Sequence, residues 1–184
     1  MLVLKKYRSQ SVGLLLVASL LSLSTIPTAA QQRVATANPA SSLVGTWRLV
    51  AIEGTGRGTD TNDHPMGIIT YDSTGHMAAQ MIYTSDRPKF ASGQNSGTKE
   101  EKAAAYDTYG AYWGTYTVDQ KAGTVRHHIE GSLTPGDIGN INVRYFDFQG
   151  NRIIYYVAED GKGGLYARKE DATRRLIWER VEPK

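Results

Sequence analysis

Gly45-Thr46-Trp47 opens the patterned part of the chain, and Trp178-Glu179-Arg180 closes it four residues before the end. A Gly-x-Trp on a first strand with an Arg on a last strand resembles the bracket that shuts known β-barrels. That resemblance implies that the indole plugs one end of the barrel and that the guanidinium stacks over it with its aliphatic stem buried. Trp47 and Arg180 are therefore read as structural residues. The stretch between them is read as a barrel whose open mouth lies at the opposite end.

Between these brackets, short runs of Val, Ile, Thr, Tyr and Trp are split by Gly, Asp and Asn, the pattern of strands joined by tight turns. Strands are expected at about 45–53, 66–72, 75–83, 112–119, 123–131, 141–149, 152–158 and 174–181. Asp72-Ser73-Thr74-Gly75 and Gln149-Gly150-Asn151 put Gly or Asn where a turn needs positive φ, as does Gly123 after Asp119. One segment breaks the period. Thr98-Lys99-Glu100-Glu101 has the form of a capping box, and the helix formers Lys102-Ala103-Ala104-Ala105-Tyr106 follow it. A single short helix is expected over about 98–108. Pro88 ends the third strand, and the stretch on to Gly97 reads as a long flexible connection. The fold class is all-β: an eight-stranded antiparallel barrel with one short helix after the third strand.

The segment before the barrel reads differently. Lys5, Lys6 and Arg8 precede an apolar run from Val12 to Leu23, and Pro27-Thr28-Ala29-Ala30 offers small residues for cleavage. That run is too short for a membrane anchor and has the form of a secretory signal, so residues 1–30 are expected to be removed. Residues 31–42 read as a polar, Ala/Ser-rich tether without apolar periodicity, and 43–184 as the barrel domain. The expected location is secreted or periplasmic, with no membrane insertion once the signal is gone. The first thirty residues hold three of the 21 basic residues and none of the 18 acidic ones, so 18 of each remain. The formal charge of +3 thus belongs to the signal. The rest has no basic footprint for nucleic acid. With no cysteine in the chain, thiolate metal sites, thiol nucleophiles and redox dithiols are all excluded.

Strand parity sorts some of the candidate site residues. In Val125-Arg126-His127-His128-Ile129-Glu130, Val125, His127 and Ile129 share one face, and their apolar company points His127 inward. His76 and Gln80 share a face with Ala78 and Ile82; parity does not say which face is the inner one. No metal is expected, because adjacent histidines on a strand face opposite ways and no His-Glu-x-x-His helix is present. No cofactor is expected either. Tyr106, Tyr109, Tyr112 and Tyr116 run from the helix into the fourth strand and offer apolar bodies with polar tips. Arg144 stands ready either for a ligand carboxylate or for an ion pair with Asp147 or Glu130. The ligand-binding set is His76, Gln80, Tyr83, Tyr112, Tyr116, His127, Arg144 and Tyr155, with His127 the one candidate for acid–base work.

Several stretches taken together resemble a known family, the bacterial and fungal lipocalin-like domain proteins. They are Leu43 to Val50, Gly75-His76-Met77, Asp86-Arg87-Pro88-Lys89-Phe90, Gly114-Thr115-Tyr116 and the run from His127 to Leu133. The resemblance spans about 43–181 and implies a lipocalin-type barrel that binds small hydrophobic ligands. This chain departs from the pattern after Leu133, where Thr134 to Gly139 lacks the aromatic residue expected of that loop.

The leading expectation is a binding protein for a small apolar or aromatic molecule. The alternative is a small isomerase or cyclase of the same fold using His127 as acid–base. A third reading is a filled barrel with no ligand, which cavity volume distinguishes from both. If the signal reading holds, the intact mass of protein recovered from its native compartment corresponds to a chain beginning at Gln31. A mass that includes residues 1–30 would overturn it.

Overall fold

The computed structural model of the chain describes residues 39–60, 62–157 and 169–182, with side chains from Ser41 onward. The expected signal and the tether up to residue 38 lie outside these residues. Eight strands close into one antiparallel barrel in sequence order: β1 (Gly45–Gly54), β2 (Met66–Tyr71), β3 (His76–Ile82), β4 (Tyr109–Asp119), β5 (Thr124–Ser132), β6 (Ile141–Gln149), β7 (Arg152–Val157) and β8 (Arg174–Arg180). Each strand pairs with its neighbour, and β1 with β8 closes the ring. The strand boundaries follow the sequence pattern to within a residue or two, except that β4 starts three residues earlier than expected.

Helix α2 (Lys99–Asp107) lies where the capping box put it, while α1 (Pro39–Leu43) is a short helix that ends the supposedly irregular tether. Thr98 caps α2: its hydroxyl accepts from the Glu101 amide, and the Glu101 carboxylate accepts from the Thr98 amide. The connection before α2 is not a loose loop. Arg87 donates to the Ala105 carbonyl and to the Thr108 hydroxyl, and the Ala91 amide donates to Glu101. A cation at the last turn of α2 also suits the helix dipole. The β2–β3 turn is held by Asp72, whose carboxylate accepts from the His76 amide and from the amide and hydroxyl of Thr74. Those bonds, the His76 amide foremost, pull the Asp72 carboxyl down to about 2.

Antiparallel pairing places the β2–β3, β4–β5 and β6–β7 turns at the end where β1 begins and β8 ends. That end is the floor. Trp47 and Trp178 are each 1% exposed and lie in the core cluster with Leu43, Leu49, Ile69, Tyr71 and Ile153. The Trp47 indole N–H donates to the Leu43 carbonyl at 2.8 Å. The Arg180 guanidinium lies 4.0 Å from the Trp47 ring centroid and donates to the carbonyls of Val44 and Ser42. Gly45, at φ +135°, has to be glycine, because a Cβ there would sit 2.6 Å from the Arg180 guanidinium.

Two bulges shift which residues face inward. One lies in β1 between Leu49 and Ala51; the other sets Trp113 and Gly114 against Gly131 and Ile129 and leaves Glu130 extra. A bulge breaks the two-residue alternation and re-aims the side chains beyond it. Beyond the second bulge Ser132, not Gly131, shares the inner face with Tyr112.

Removing the floor plug leaves a large void. Trp47→Ala is expected to destabilise the protein by about 3–5 kcal/mol. Arg180→Ala should cost about 2 kcal/mol through lost packing and lost charged hydrogen bonds. Urea unfolding monitored by circular dichroism measures both; a neutral Trp47→Ala would remove the floor assignment.

Candidate functional site

At the other end the barrel has a mouth, bordered by residues 54–60, 62–65, 83–108 and 133–140 and by the ends of β7 and β8. Below it lies a cavity of about 280 Å³, reaching from Arg57, Tyr106 and Asp137 at the rim to Trp178 inside. A wider groove of about 870 Å³ runs between residues 86–94 and α2. None of its lining side chains is buried, so it lacks the desolvated polar groups that fix a ligand's orientation. The barrel cavity is the candidate site.

Its centre is His127, 1% exposed on β5. Nε2 lies 2.8 Å from the Tyr71 hydroxyl and Nδ1 3.0 Å from the Tyr112 hydroxyl. The Tyr71 hydroxyl in turn lies 2.8 Å from that of Tyr155. The four groups form one chain: Tyr155, Tyr71, His127, Tyr112. Burial above all, with the nearby Arg144 and His128 charges, holds the imidazole well below its usual range, so it is neutral at physiological pH. Burial also pushes the Tyr71 and Tyr155 phenols well up, so they stay protonated. A neutral imidazole has one donor and one acceptor. All protons in the chain therefore point one way, toward Tyr112 or toward Tyr155, and one terminal hydroxyl keeps its proton for something else.

Arg144 enters from β6, 9% exposed, opposite Val125 on β5. Of the two roles left open for it, the ion pair with Asp147 or Glu130 does not form among the described residues. Asp147 is held by Tyr156 and Lys169, and Glu130 is exposed at the bulge. The Arg144 guanidinium makes one hydrogen bond among the described residues, to the Val143 carbonyl at 3.0 Å. Arg174 lines the cavity from β8 and donates to the Arg57 carbonyl; the Arg57 guanidinium lies 4.5 Å from the Tyr83 ring centroid. Deeper in, the Trp178 indole N–H is buried without a hydrogen-bond partner among the described residues.

Of the residues named from sequence, Tyr83, Tyr112, His127, Arg144 and Tyr155 line this cavity. Three do not. His76 and Gln80 face outward, because the inner face of β3 carries Met77, Ala79 and Met81. His76 bonds Thr74 and pairs with Asp72 at the floor turn, and Gln80 accepts from the Tyr109 hydroxyl on the outer surface. Tyr116 points to the floor, edge-on to Tyr71, and donates to the Asp72 carbonyl. Tyr71, Asn142, Ser132, Arg174 and Trp178 were not in the expected ligand-binding set. Strand parity with the apolar company of β8 could have found Trp178. The bulge hid Ser132, and nothing local marks Arg174 as inward.

A closed eight-stranded antiparallel barrel, plugged at one end by a tryptophan beneath an arginine and hollow at the other, defines the lipocalin-type class of protein. The chain matches the model of the lipocalin-like domain family over residues 44–181 and belongs to that family. Searches among curated proteins and among solved structures returned no match.

The buried histidine sets a pH dependence. Its pKa is lower in the folded protein than in the unfolded chain, so the stability it lends is full above the unfolded value of about 6.5 and is lost as pH falls toward the folded value. Unfolding free energy should drop by about 1.4 kcal/mol per pH unit from this residue below about pH 6.5. His127→Gln should remove that component, read as the difference between the two urea-unfolding profiles from pH 7 to 5. Parallel profiles would assign the slope to other groups.

Proposed function

We propose that this protein is a binding protein that holds one small aromatic or amphipathic molecule in the barrel cavity. The observation that carries the reading is an internal cavity of about 280 Å³ whose walls combine apolar surface with the buried Arg144 guanidinium, bonded among the described residues to a backbone carbonyl alone. Ile69, Ala79, Met81, Val157 and Leu176 supply the apolar part, and Tyr83, Tyr112 and Tyr155 supply flat rings with polar tips. Affinity comes from apolar area removed from water, and orientation from the few polar groups. The apolar run and cleavage-like residues of the first thirty positions support export, which would put such a binder outside the cytoplasm.

The tyrosine chain argues for binding over direct catalysis by His127. Both ring nitrogens are engaged by tyrosine hydroxyls, so neither is open to take a proton from a bound molecule. A filled, ligand-free barrel is disfavoured by the cavity itself.

Native mass spectrometry of protein purified from its own host should show a copurifying mass that leaves on unfolding. Met81→Trp, which places a large ring in the cavity, should reduce occupancy at least tenfold while leaving the circular dichroism spectrum of the barrel intact. Equal occupancy in that variant would move the binding site out of the barrel.

A further inference from the structure

We propose that the ligand is an organic acid, its carboxylate held by the guanidinium of Arg144 and the hydroxyl of Tyr112, and its aromatic body directed inward toward Trp178. This deepens the binding reading above and rests on it. Three arginines and one carboxylate line the cavity among the described residues, and the carboxylate, Asp137, sits at the rim and accepts from Ser132. Arg144 is a buried cation whose charge no side chain neutralises among the described residues: its one bond there is to a backbone carbonyl. A buried, unpaired guanidinium destabilises a protein unless an anion joins it. The fork of its remaining N–H groups matches a carboxylate.

The hydrogen-bond chain gives the anion a second anchor. Burial pushes the Tyr112 phenol up, against the opposing pull of the nearby Arg144 guanidinium, so Tyr112 keeps its proton to donate. With a carboxylate bound there, the Tyr112 O–H turns to it as donor. His127 Nδ1–H then donates to Tyr112, Tyr71 donates to Nε2, and Tyr155 donates to Tyr71. Every donor in the series is used once, and no lone pair faces the anion. The opposite order would aim the Tyr112 lone pairs at the carboxylate. Acid binding therefore selects the Nδ1–H tautomer of His127.

Trp178 lines the inner end of the cavity and offers the acid's ring system an aromatic surface to pack against. Size limits the body. The cavity equals about nine water volumes at about 30 Å³ each, room for one ring system and a short acid arm.

The test compares acids with their neutral isosteres. Cinnamate, 4-hydroxycinnamate and indole-3-acetate are titrated calorimetrically into the full native protein, each beside its own carboxamide. At least one acid is expected to bind tenfold or more tightly than its amide. Arg144→Gln should abolish that preference, and Arg144→Lys should restore part of it. In the complex, ¹⁵N chemical shifts of His127 should report Nδ1 protonated. Ligand-free Arg144→Met should melt at or above the native temperature, since it removes an unpaired buried charge; a much lower melting temperature would assign Arg144 to the fold and overturn the proposal. Amides that bind as well as acids would overturn the carboxylate assignment while leaving the binding reading standing. Failure of acids and amides alike would count against both.

Discussion

The seam between the first and last strands is where this barrel is decided. An eight-stranded sheet remains open, with two bare edges, until β1 and β8 pair, and an open edge exposes unpaired backbone groups. Arg180 fastens the seam by three means at once. Its guanidinium covers the Trp47 ring, and it bonds the carbonyls of Val44 and Ser42 just before β1. Trp47 in turn bonds the Leu43 carbonyl at the end of α1. The short helix, the first strand and the last strand are thereby tied at one point, and all other pairings are between sequence neighbours.

Closing one end so firmly leaves the other free to be hollow. The large aromatics and much of the aliphatic packing concentrate at the floor, while small residues such as Ala79 and Gly110 face the cavity. Polar groups follow the same division. Near the floor they are satisfied by turns and carbonyls, as with Asp72 and Tyr116. Inside the cavity they are held by one another, in the chain from Tyr155 to Tyr112, or are left without a side-chain partner, as with Arg144. A buried polar chain of this kind is rigid when every member is satisfied, and its unspent terminal donor is free for a ligand.

Much of this was legible in the residues. The Gly-Thr-Trp and Arg180 bracket, the eight strands, the capping box of Thr98 and Glu101 and the inward turn of His127 all depend on local pattern. The departures have a common cause. His76 and Gln80 were placed in the cavity because both faces of β3 are half apolar, and period-two alternation cannot say which face meets the core. Ser132 was not placed in the cavity, because the bulge at Glu130 adds one residue and reverses parity beyond it. For Arg144 the sequence left ligand and ion pair even, and only the positions of Tyr156 and Lys169 beside Asp147 removed that acid from its reach.

By itself, then, the sequence determined the container: number of strands, order, closed end and the helix after the third strand, all set by interactions between residues a few positions apart or by one recognisable pair. The tertiary structure decided what the container presents. Which face of β3 looks inward, which carboxylates are already engaged, and whether four hydroxyl and imidazole groups from four strands meet in one chain are matters of distance between segments far apart in sequence. No periodicity encodes those distances, because they follow from strand stagger, bulges and closure of the whole ring.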